Sequence, residues 1–121
     1  MPFVLRSKWG GRVLDEGYVP VPKRLLRCAG KLFRGKRRLS NLRAMLAIVD
    51  YERPTVARAA SIEYLAFLAG MSKKRFSESL QDMQQCGWIT VKGPSDGVTI
   101  NYRGFIKAIE AVTKDSSEDT K

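Results

Sequence analysis

Histidine is absent from the 121 residues, and cysteine is limited to Cys28 and Cys86, far apart and in no CxxC pair. Structural zinc needs Cys and His at short spacing, so no metal site is expected and both thiols read as reduced. Long apolar runs are also missing. Met45 to Val49 and Leu65 to Ala69 fall far short of the roughly 20 residues a membrane span needs. Residues 1–8 start apolar but show neither an extended hydrophobic region nor a small-residue cleavage site, so no signal peptide is read and an intracellular, cytoplasmic protein is expected. There is no GxxxxGK[ST] phosphate loop and no carboxylate cluster at metal spacing, and a Ser or Cys nucleophile would have only Lys or a carboxylate as its base. Neither catalysis, a cofactor nor a small-molecule ligand is therefore expected.

Acidic residues are scarce in one place above all: none occurs from Gly17 to Val49. The chain carries +10 from 22 Lys and Arg against 12 Asp and Glu. Residues 1–43 hold 12 cations against Asp15 and Glu16 alone, so the whole excess lies there and the remainder is neutral. Ordinary solvated surfaces mix signs, whereas a one-signed stretch points to a polyanion and its phosphates. With 44% apolar and 28% charged residues, the length suits a single folded domain.

Residues 1–17 alternate loosely around Phe3, Val4, Leu5, Val13 and Leu14 and read as an N-terminal arm or hairpin. Pro20 and Pro22 force an extended lead-in, and Pro22 suits the first position of a helix running to Phe33. That helix sets Leu25, Leu26, Ala29, Leu32 and Phe33 against a row of cations. Gly35 ends it, Lys36, Arg37 and Arg38 connect, and Ser40 or Asn41 is expected to cap a second helix reaching about Glu52 with Leu42, Met45, Leu46 and Val49 buried. Thr55 to Ala60 reads as a turn, with a short strand possible near Ala60.

Ser61 opens a short amphipathic helix that stops at Gly70, and Ser72 caps a further helix from Lys73 to Cys86 on a stripe of Phe76, Leu80 and Met83. Two helices joined by a three-residue turn containing Gly make a helix-turn-helix. Trp88 to Lys92 and Val98 to Tyr102, divided by Gly93-Pro-Ser-Asp-Gly97, predict a hairpin. A last helix with Phe105, Ile106, Ile109 and Val112 offers an apolar face, either for a homodimer or for the monomer's own core. The acidic, Ser-rich residues 114–121 are expected to be disordered.

The expected fold is mainly α with a small β-hairpin. Leu65, Ala66, Gly70, Ser72, Phe76, Leu80, Met83, Gly87, Trp88 and Ile89 resemble the pattern shared by winged helix-turn-helix DNA-binding families, here with an extra basic N-terminal helix and the domain spanning 18–113. Tyr18, Val19, Pro20, Val21, Pro22, Leu25 and Leu26 are also similar to the N-terminal origin-binding domain of phage and plasmid replication initiators of the phage replication protein O type. Such initiators continue into a second domain where this chain ends, which favours a transcriptional regulator over an initiator.

The resemblance implies double-stranded DNA as partner, a location at the nucleoid, and a recognition helix in the major groove, where each base pair shows a distinct set of donors and acceptors. Lys73, Lys74, Arg75, Ser77, Glu78 and Gln81 face away from the buried stripe and are the base-contacting candidates. Arg75 or Lys74 suits guanine, Gln81 adenine and Glu78 the cytosine amino group. Ser72, Arg24, Arg27, Lys31, Arg34, Lys36, Arg37 and Arg38 are the phosphate candidates, with Lys92, Ser95 and Thr99 on the wing. Asp96 at the wing tip and a single Lys make that wing a poor anchor. The alternative from another class is a protein-interaction module whose basic third binds nucleic acid without sequence preference.

Overall fold

The computed structural model describes residues 7–52 and 58–119. Its elements run α1 (Lys23–Leu32), α2 (Arg38–Tyr51), α3 (Ile62–Ala69), α4 (Lys73–Gln85), β1 (Thr90–Lys92), β2 (Thr99–Asn101) and α5 (Arg103–Asp119). The chain is thus mainly helical with one two-stranded antiparallel sheet. None of the described helices is long and apolar enough to cross a membrane.

Pro22 is extended (φ −62°, ψ 146°) and caps α1 instead of forming its first turn; its carbonyl accepts the Leu26 N–H at 3.1 Å. Leu25 and Cys28 form the buried edge of α1, while Leu26, expected inside, is exposed. α2 starts at Arg38, ahead of Ser40 and Asn41. Asn41 does not cap because its side chain has a distant partner: Nδ2 donates to Asp82 at 3.2 Å. The α2 residues driven fully inside are Ala44, Met45, Ala47 and Ile48, with Leu42, Leu46 and Val49 half-buried against them.

α2 packs on α3 and α4, which pack on each other, and α1 packs on α5. The last contact decides between the two uses of the Phe105 to Val112 face: Phe105 and Ile109 are buried in the chain's own core. Phe33, Trp88 and Phe105 meet as a three-ring cluster with centroids 5.2 to 5.7 Å apart, tying the end of α1 to the start of α5. Trp88 therefore fills a seam between α1 and α5.

The hairpin pairs Thr90 with Asn101, Val91 with Ile100 and Lys92 with Thr99. Beyond it, Ala60 and Val98 exchange backbone hydrogen bonds of 3.0 and 2.8 Å, the strand-like contact read near Ala60, and the Ile62 N–H donates to the Ser95 carbonyl at 2.8 Å. The Ile100 N–H donates to Glu52 Oε1 at 3.3 Å, joining β2 to the end of α2. Burial pushes the Glu52 carboxyl above its ordinary value, against the opposing effects of that hydrogen bond and of Arg58.

Two further sequence expectations differ from the structure. Residues 7–9 are helical and residues 11–16 turn, with the Gly17 N–H donating to the Leu14 carbonyl at 2.9 Å, so no strand occurs among residues 7–17. Local turn bonds satisfy this backbone without a partner strand. Phe3 to Leu5, and Thr55 to Ala57 of the expected turn, lie outside the described residues. α5 continues to Asp119 where disorder is expected. A polar composition denies a tail a core of its own, but propagating an existing helix avoids the cost of nucleation.

Gly104 lies where two backbone segments approach closely. A Cβ there would overlap the Gly87 carbonyl oxygen and lie 3.0 Å from its carbon, whereas at Gly30 in α1 a Cβ meets nothing within 4 Å. Gly104→Ala is therefore expected to destabilise by about 1–3 kcal/mol through overpacking. Gly30→Ala should stabilise by up to about 1 kcal/mol through helix propensity alone. Urea midpoints at unchanged m-value measure both, and a Gly104→Ala variant as stable as wild type contradicts the close backbone approach.

Candidate nucleic-acid interface

The rotation of α4 about its axis is set by what it buries. Phe76 and Met83 are fully enclosed and Leu80 nearly so. At 3.6 residues per turn this leaves Lys73, Lys74, Arg75 and Gln81 exposed, with Ser77 and Glu78 half-buried at the margin. The turn before it is equally determined. Gly70 sits at φ +69°, its N–H donates to Phe67 and that of Met71 to Ala66, a paired closure of α3 that permits a change of direction within three residues. Ser72 then accepts the Arg75 N–H on Oγ at 3.2 Å, and its own proton remains available to an anion. Lys73 Nζ lies 3.9 Å from Glu63 on α3.

The connector between α1 and α2 runs beside α4. Arg37 grips Asp82 with two parallel hydrogen bonds, Nε to Oδ2 at 2.8 Å and Nη2 to Oδ1 at 2.7 Å, and reaches Glu78 at 4.0 Å. The Arg37 hydrogen bond, aided by the one from Asn41, holds the Asp82 carboxyl below its ordinary value despite partial burial. Arg37, a phosphate candidate by sequence, thus serves as a strut between connector and helix. Glu78, a base-contact candidate, shares its charge with the same guanidinium.

That strut brings two sets of residues together. A cleft of about 320 Å³ is lined by Lys36, Arg37 and Ser40 from the connector and α2 and by Arg75 and Glu78 from α4. Arg34 lines a second cleft of about 340 Å³ with Asp82, Gln85 and Trp88. Arg38 is exposed and donates to the Gly35 carbonyl at 3.1 Å. Arg24, Arg27 and Lys31 lie exposed on α1, whose packing partner is α5, and none of them lines either cleft. On the hairpin, Lys92 and Ser95 are exposed and Thr99 half-buried. Ser40, Asn41 and Asp82 were missed as site residues. Their one sequence signal is the pair of acids Glu78 and Asp82, four apart on a helix, complementary to the cations of 34–38.

Such a surface presents cations, an amide and hydroxyls on one helix, with further cations fixed beside its first turns. It suits an extended polyanion. Because the Asp82 pKa is depressed in the fold, its contribution is present above the unfolded value and is lost as pH falls through the folded one, below about pH 4. Stability of the wild type should decline over that window more steeply than that of Asp82→Asn, as followed by chemical denaturation at a series of pH values. Arg37→Ala and Asp82→Ala should each destabilise, and the double variant by less than their sum; strict additivity would show that the fork carries no coupling. No protein-family model, curated protein or solved structure matches this chain.

Proposed function

We propose that the chain binds double-stranded DNA sequence-specifically as a winged helix-turn-helix protein. In this reading α3, the Gly70 turn and α4 form the helix-turn-helix, β1 and β2 the wing, and the bound site is an operator, so that the protein acts as a transcriptional regulator. The observation that carries the reading is the exposure of the outer face of the first three turns of α4, with Lys73, Lys74, Arg75 and Gln81 outward, above a buried stripe. An α-helix fits the major groove, and Arg and Gln side chains match guanine and adenine edges. Lys36, which lines one cleft with Arg75, is suited in this reading to the backbone phosphates that flank a groove-bound helix.

Selection of bound duplexes from a random pool tests the proposal. A defined site is expected, and its position beside promoters rather than in arrays at a replication origin separates regulator from initiator. Arg75→Ala and Gln81→Ala should each relax preference at one position, by about 1–3 kcal/mol of discrimination. Lys36→Ala should weaken every sequence alike. Neutralising about six to eight phosphates gives a log-log salt slope of about −5 to −7. Equal competition by duplexes of any composition, or a slope near about −1, would refute the proposal.

A further inference from the structure

α3, with the sequence IEYLAFLA, carries a single charge, Glu63. Leu65, Ala66 and Ala69 face the core, yet apart from Glu63 the remaining positions are apolar too: Tyr64, Phe67 and Leu68 are 48%, 75% and 38% exposed. The rings of Tyr64 and Phe67 stack at 6.5 Å, and Tyr51 sets its edge on Tyr64 at 5.9 Å. Beside this stripe lies a groove of about 730 Å³ lined by Tyr18, Val19, Leu46, Ala47, Phe67 and Leu68. Single exposed apolar side chains are ordinary, whereas a contiguous patch of this kind marks an interaction surface. A helix apolar all round expects cover on both sides.

The charges around the groove narrow the choice of cover. Its rim holds Glu16 and Asp50 with Arg43, whose Nη2 donates to the Gly70 carbonyl at 2.6 Å. In a chain of net +10 with no acid from Gly17 to Val49, this is a surface where the local charge is not positive. Two copies repel where their surfaces are basic, and this rim, with Glu16 and Asp50 against Arg43, opposes a second copy by no such excess, while nucleic acid is disfavoured by an apolar cleft with an acidic rim. The patch also offers a protruding ring, Phe67, next to a hollow, and charges of both signs. A two-fold contact requires such self-complementarity.

We propose that the outer face of α3 and the adjoining groove form the contact with a second copy of this chain, giving a two-fold dimer. The contact is independent of DNA. Its consequence for DNA, two copies of α4 presented to a palindromic site, rests on the proposed function.

Sedimentation equilibrium of the full chain without DNA, from about 1 to about 100 μM, tests the contact. The wild type should dimerise within this range. Phe67→Glu should raise the dissociation constant more than about tenfold while keeping the wild-type thermal melt at a concentration where both are monomeric, and Asp50→Arg, which adds a cation to the exposed rim, should weaken the dimer as well. Leu26→Glu, at a leucine equally exposed on α1, should leave it unchanged. A wild type that stays monomeric throughout, a Phe67→Glu protein that dimerises like wild type, or equal weakening by Leu26→Glu would each overturn the proposal.

Discussion

Burial of Phe76, Leu80 and Met83 beneath α4 is the constraint on which the rest depends. Each such side chain contributes about 1.5–3 kcal/mol when enclosed. A slip of one residue turns the helix by about 100°, exposing this stripe and driving either Arg75 and Asp82 or Gln81 and Gln84 into the core, where polar and charged groups without partners are costly. The helix therefore has one permitted rotation. The identity of its outward residues follows from packing alone, before any partner is considered, and the Gly70 and Gly87 turns at its two approaches fix where it starts and stops.

Given that rotation, the two carboxylates on α4 acquire a purpose. Glu78 and Asp82 stand at the margin of a cationic surface, where an acid would weaken attraction to an anion. Their charge is instead shared with Arg37, which fixes the connector against the helix and carries Lys36 to Arg75. The fork is too exposed to add much stability. Its value is geometric, because a bidentate guanidinium pair holds one orientation where a flexible lysine would not. A basic connector left to itself would be pushed apart by its own charges, and one arginine given up to α4 keeps the neighbouring cations in place.

What was legible in the sequence was local. The α3, turn and α4 segment is written by its caps, glycines and helical period, and the hairpin by Gly93 to Gly97 between alternating strands. The failures share a different cause. Asn41 looks like a helix cap and is taken by Asp82, forty-one residues away. Leu26 looks buried by periodicity, but the core beneath α1 takes Leu25 and Cys28, leaving it in solvent. Residues 7–17 alternate weakly and coil on their own hydrogen bonds. For the interface, the charge asymmetry and the exposed α4 positions were readable. The Arg37 strut was not, because it depends on where a connector lies against a helix it meets only in the folded chain.

The tethering of the hairpin bears on where an anchoring charge would have to sit. Ser95 and Val98, in the loop between β1 and β2, are bonded to Ile62 and Ala60 at the approach to α3. A loop held at two points by backbone hydrogen bonds braces the start of α3 and is poorly placed to extend along a partner. The hairpin also carries Asp96 at its tip and Lys92 as its one cation. A hairpin that serves as a brace is poorly suited to anchoring, so under the proposed function attraction to a polyanion would come from elsewhere. The segment free of acids from Gly17 to Val49 holds the cations that reading calls for, and the Arg37 fork sets Lys36 beside Arg75 on α4.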